Sequence, residues 1–229
     1  MIAFLLAVTF AARCIGCSFA GADLHGQDLR GAAWVGVDLS HADLRGANLS
    51  GVKMAGANMR SADLRGADLR DARFAGANLQ NARLDGAKLD GIRLAGANLT
   101  GAVLQNVDDG QLRSLLSHCA GCTLRGVDLH GKNLHGVSLV ASDLRQTNLR
   151  NADLSGAVLC TRDTDDDNGH VTYGDISCSD LSGADLHGAN LRGVQTCTWH
   201  ESARTCEPAS AQTLRDKAHA SLDGASLGQ

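Results

Sequence analysis

The residues of this sequence best suited to chemistry are its eight cysteines. They fall into four close pairs: Cys14/Cys17, Cys119/Cys122, Cys160/Cys178 and Cys197/Cys206. Two C-x2-C units are the ligand pattern of a zinc ribbon. A single C-x2-C is a redox motif when a βαβ pattern surrounds it, and no such pattern surrounds either unit here. An even number of cysteines with local partners fits disulfides in an oxidising compartment. Disulfides are the favoured reading, with redox-active thiols and a metal site as the rivals.

The remaining polar candidates are weaker. Asp163, Asp165, Asp167 and Asn168 form an acidic cluster. A calcium loop of the EF-hand kind needs Gly at its sixth place and Glu at its twelfth, where Asn168 and Gly174 stand instead. A solvated acidic loop is the better reading. His25, His130 and His135 each follow an apolar position and should face solvent. His200, Glu201 and Ser202 are adjacent in sequence, whereas catalytic groups converge from separate elements. No GxxxxGK[ST] phosphate loop is present. No catalytic residue, cofactor or resident metal is expected.

The elements that position these residues are set by a period of five. In "SADLRGADLRDARFAGANLQ", from position 61, every fifth residue is Leu or Phe and the residue two before it is Ala. These marker positions run without a slip from Phe19 to Leu104. They resume from Leu124 to Leu159 and return at Ile176, Leu181, Leu186 and Leu191. Residues five apart on a helix are far out of step, so no stripe forms. A strand has period two, and five is odd. A chain that turns a corner every five residues satisfies the pattern, with the marker (i) and position i−2 pointing inward. Glycine concentrates at i+2, where a tight corner calls for positive φ. Aromatics make up only 3% of the chain, so the interior must be narrow.

"ADLRG", "ANLSG" and "ADLSG" resemble the pentapeptide-repeat family, whose pattern is A(D/N)LXX. The resemblance covers about 150 residues of the sequence. It implies an all-β fold: a right-handed quadrilateral β-helix, four fives per coil, with a Leu or Phe ladder inside. A period of twenty supports this independently. Trp34, Met54, Phe74 and Leu94 stack on one side, preceded by Ala33, Lys53, Arg73 and Arg93 and followed by Val35, Ala55, Ala75 and Ala95. That side would carry an apolar stripe beside a basic column. It is the candidate interaction face, with packing variation alone as the competing explanation. The column also bears on the cysteines: about five coils at ~4.8 Å each would separate Cys14 from Cys119, too far for one zinc ion.

The text breaks in three places. Residues 106–118 read as a helical insert, capped at Asp108 or Asp109, with Leu112, Leu115 and Leu116 on one side. The break from Leu104 to Leu124 is twenty residues long, so the second run (119–196) can continue the first (13–105) in one column. "CIGCSFAGADLHGQDL" at 14 and "CAGCTLRGVDLHGKNL" at 119 read as an internal duplication offset by 105. Exported family members of this look often begin a run with a helix and C-x-G-C, which implies a cap. Residues 160–175 form a loop across which the marker phase shifts. Residues 197–229 read as an irregular, disulfide-closed cap, with a candidate helix from Ala211 to His219 and two stray fives marked by Leu222 and Leu227.

Ile2 to Ala12 is an uncharged apolar run of signal-core length, too short to span a membrane. Residues 1–12 are therefore read as an export signal cleaved near Ala11 or Ala12, leaving no stable membrane span. A first apolar rung of the fold is the alternative. Localisation follows: periplasmic or secreted, or cytoplasmic if the segment is not a signal. The net charge of −4 argues against a nucleic-acid partner. The reading is a non-catalytic, exported binding or scaffold surface with a protein partner. One alternative is a DNA-mimicking inhibitor or protector of DNA gyrase, because some members of the family resemble a duplex in charge and width. The other is a metal or redox protein using C-x-G-C.

Overall fold

A computed structural model describes residues 13–104, 106–162, 176–200 and 203–227. The expected signal at 1–12 lies outside these residues, as do the acidic cluster at 163–168 and Glu201 and Ser202.

The chain winds into a single column. Parallel bridges join each residue before a marker to the residue twenty further on, as in Asp23↔Asp43, Asp43↔Asp63 and Asp63↔Arg83. One coil is therefore four fives. Each marker amide donates to the coil above (Leu64 N to Arg83 O, 2.8 Å), and the residue before it donates to the coil below (Asp63 N to Ala42 O, 3.0 Å). Rungs inside the stack are thus hydrogen-bonded on both sides, which satisfies the backbone of a core otherwise made of hydrocarbon.

Inside, the markers and the i−2 residues are buried together: Leu64, Leu69 and Phe74, with Ala62, Ala67 and Ala72, are all 0% exposed. Position i+2 turns each corner with positive φ. Glycine serves at most corners (Gly66, 65°), but His41, Ser61, Asp71, Asn81, Ala141, Gln146 and Asn151 also adopt it, at 53–59°. Ser142, Thr147 and Ser179 are buried where Ala usually stands. Their hydroxyls donate to carbonyls of the rungs beneath, Ser142 to Cys119, Thr147 to Leu124 and Ser179 to Leu139, and Ser179 also to Leu159 across its own corner. Hydrogen bonds to the ladder itself offset the cost of burying them.

At the first break, helix α1 (Asp109–Ser117) takes the place of one rung, on the side of the column that carries Leu49, Leu69 and Leu89. Asp108 caps it, its carboxylate accepting from the Gln111 amide at 2.9 Å, and Leu112, Leu115 and Leu116 are buried. The Gly91 amide, at the coil below, is met by the Ser114 hydroxyl at 3.2 Å. The helix uses more chain than a rung, so this one coil-to-coil step takes twenty-five residues: Asn98 pairs with Thr123, and Leu94 N donates to His118 O. The column then continues with steps of twenty from Thr123↔Asp143 to Ser138↔Val158. The two runs are one stack, and α1 lies within it rather than at an end.

At the second break, strand β3 (Val158–Arg162) pairs antiparallel with β4 (Ile176–Cys178), Cys160 opposite Cys178. Ile176 is therefore part of a reversed strand and not a rung marker. Beyond it the ladder resumes, with Asp143↔Asp180, Asn148↔Asp185 and Asp153↔Asn190. The C-terminal region that reads as irregular is a hairpin: β5 (Gln195–His200) runs parallel to β3 and antiparallel to β6 (Ala203–Pro208). Helix α2 (Ala211–Ala218) follows, capped by Ser210, with Leu214 and Ala218 buried. The last five is a rung, since Ser226 bridges to Asn190.

Candidate functional site

The four cysteine pairs are disulfides: Cys14–Cys17, Cys119–Cys122, Cys160–Cys178 and Cys197–Cys206. In each C-x-G-C the two cysteines occupy an inward marker and the next inward i−2 position, so the bridge spans one corner inside the column. Cys119 and Cys122 are fully buried, while Cys14 and Cys17 near the first coil are partly exposed. At the hairpin, Cys197 stands directly opposite Cys206. Among the described residues, no group of His, Cys, Asp or Glu is placed to hold a metal ion. His25, His130 and His135 are exposed, as their positions after markers require.

The sequence-predicted face is brought together as one side of the column. Ala33, Lys53, Arg73 and Arg93 are bridge partners in succession. Beside them, Ile15 pairs with Val35 in the parallel strands β1 (Arg13–Ile15) and β2 (Ala33–Val35). The stack continues through hydrogen bonds from each following corner: Gly36 N to Ala55 O, Gly56 N to Ala75 O, Gly76 N to Ala95 O, Gly96 N to Ala120 O and Gly121 N to Val140 O. These i+1 residues are exposed, Ile15 at 86% and Val35 at 50%, except Val140, which is half-buried. An uninterrupted apolar column therefore runs over seven consecutive coils. The sequence reading finds its middle and misses Ile15, Ala120 and Val140. The twenty-five-residue step hides the last two. The available signal is the duplication: its offset of 105 is five coils, one of them lengthened by five, and it returns Cys119 to the side of Cys14.

Elsewhere in each coil the i+1 position is mostly polar. There Arg30, Arg45, Arg65, Arg70 and Arg145 each bind the Asp two residues earlier, at 2.5–2.6 Å. The hydrogen bond from Arg30 holds the Asp28 carboxyl down at about 2, and Arg45 does the same for Asp43. On the side of Ala55, Ala75 and Ala95 the i+1 residue is apolar, and the i−1 residue is a cation rather than Asp. Among the described residues, Lys53, Arg73 and Arg93 are exposed and have no ion-pair partner. This arrangement has no nucleophile and no acid–base pair. It offers apolar contact and three uncommitted cations.

Comparison with known proteins identifies the family. The sequence pattern of pentapeptide repeats matches in eight copies, over residues 11–46, 35–71, 77–108, 117–159 and 175–195. The chain belongs to the pentapeptide-repeat family, and its column is a right-handed β-helix. Among solved structures it is similar to HetL, a pentapeptide repeat protein involved in heterocyst differentiation regulation from the cyanobacterium Nostoc sp. Strain PCC 7120. Identity is 29% over 79% of this chain and 78% of that one, with a TM-score of 0.40. Rfr23 from the cyanobacterium Cyanothece 51142 is 24% identical over 61% and 89%, with a TM-score of 0.41. QnrB1, a plasmid-mediated fluoroquinolone resistance protein, is 18% identical over 80% and 81%, with a TM-score of 0.34. No curated protein sequence matches the chain.

Proposed function

We propose that this protein is a non-catalytic, exported scaffold, quadrilateral in cross-section, that binds a protein partner through the side bearing Val35, Ala55, Ala75 and Ala95 with Lys53, Arg73 and Arg93. The observation that carries the reading is the contrast between sides. Two are laced with Asp–Arg pairs, a third carries one at Arg145, and the remaining one presents an unbroken apolar column flanked by cations that have no ion-pair partner among the described residues. Surfaces of this composition, apolar at the centre and charged at the rim, are what protein partners bury.

Export is supported by the four disulfides, which persist in a periplasmic or secreted protein and are reduced in a cytosol. No helix among the described residues is long and apolar enough to cross a membrane. The gyrase-protector reading gains little support from charge, since −4 spread over the chain is far from the density of a nucleic-acid duplex. A metal role for C-x-G-C gains none, because all four of its cysteines are joined, and a redox role for Cys119–Cys122 gains none, because that bridge is buried.

The test is a photo-crosslinking residue at Ala75 or, as a control, at Ser50 on a different side, expressed in the native host. The proposal expects a protein adduct at position 75 and none at 50. Equal labelling, or none at either, would overturn the assigned face.

A further inference from the structure

We infer that the occupant of this side is an amphipathic helix of a partner protein, carrying carboxylates along one flank of its apolar stripe. The inference rests on the binding face proposed above and adds the shape and charge of what binds there. The first argument is area. Six steps of ~4.8 Å make the column about 29 Å long, and one exposed side chain with its corner makes it about 10 Å wide, so it offers roughly 300 Å². A stable dimer of flat protein faces needs about 800 Å² from each partner. A single helix, about 10 Å across and about 19 residues for that length, matches the strip.

The second argument is relief. Ala55, Ala75, Ala95 and Ala120, each followed by glycine, form a low floor between Ile15 and Val35 at one end and Val140 at the other. Small side chains let a helix approach closely, and the larger residues close the ends of the seat. The third argument is charge. Lys53, Arg73 and Arg93 recur every coil, at ~4.8 Å, and carboxylates one turn apart on a helix recur every ~5.4 Å. Three pairs stay within reach along one flank. A second copy docked through this same side would bring Lys53, Arg73 and Arg93, not carboxylates, to the strip.

The experiment uses the full-length oxidised protein and two synthetic helical peptides of equal length. Both have Leu and Ala on the apolar stripe. One carries Glu and the other Lys along a flank. Fluorescence anisotropy should show the Glu peptide binding about tenfold more tightly than the Lys peptide, the sum of three modest exposed pairs. The difference should shrink as salt rises. The triple variant Lys53→Glu, Arg73→Glu, Arg93→Glu, checked for fold by circular dichroism, should reverse the preference. Equal binding of the two peptides, or no binding of either, would overturn the helix. So would binding to phosphatidylglycerol vesicles in preference to the peptide, or dimerisation in light scattering that Ala75→Glu abolishes. A crosslinked partner at Ala75 without peptide binding would leave the face standing and remove only the helix.

Discussion

Ala75 and Ala77 are the same residue type two positions apart, yet the first is exposed and the second is 1% exposed. Substituting Asp at each isolates the in-and-out register from composition. At Ala77 the carboxylate enters a column of buried apolar side chains, among them Phe74, Met59, Leu79, Ala57 and Ala97, with no cation inside. A carboxyl raised by about three pKa units through burial costs about 4 kcal/mol at neutral pH, at about 1.36 kcal/mol per unit. At Ala75 the cost should stay within ~0.5 kcal/mol, as for most surface changes. With a urea dependence of about 2–3 kcal/mol per molar, Ala77→Asp should lower the unfolding midpoint by roughly 1.3–2 M. Far-UV circular dichroism reads it. The sign with pH follows from the raised folded pKa: the penalty is full above that pKa and declines as pH falls toward the unfolded value near 4. Equal shifts for the two variants would refute the assignment of inward positions.

Three further outcomes are expected. Gly66→Ala meets no atom within 4 Å, but its φ of 65° remains left-handed, so it should cost about 1 kcal/mol and about 2–4 °C of melting temperature, read by calorimetry. Timed reduction and alkylation with mass mapping should open the partly exposed Cys14–Cys17 before the buried Cys119–Cys122, because exchange needs access to sulfur. Asp43, held at about 2 by the hydrogen bond from Arg45, contributes stability that is present above the unfolded value near 4 and lost as pH falls toward 2. In Arg45→Gln, the carboxyl should titrate nearer 4 by NMR.

The rungs were legible because a buried marker every five residues tolerates no slip, and the corners because glycine is the least strained residue at positive φ. Leu112, Leu115 and Leu116 announced α1 by helical spacing. What spacing could not convey was how much chain the helix consumes relative to the rung it replaces. That quantity placed Ala120 and Val140 on the apolar side. The β5–β6 hairpin was hidden for another reason: Glu201-Ser202 lies between its strands in place of the Asn-Gly or Asp-Gly that marks a tight turn. Its symmetry was present in Cys197 and Cys206, equidistant from that pair. Ile176 kept the look of a marker because a reversed strand also favours a β-branched residue.

The claim on which the rest depends is that the column continues through α1 as one stack. Spin labels on noncanonical residues at Val35 and Val140, read by pulsed dipolar spectroscopy, test it directly. Five coil steps place the two backbones about 24 Å apart, and a single narrow distribution near that value is expected. A broad distribution, or a mean beyond about 35 Å, would contradict a continuous stack at ~4.8 Å per coil and with it the seven-coil face.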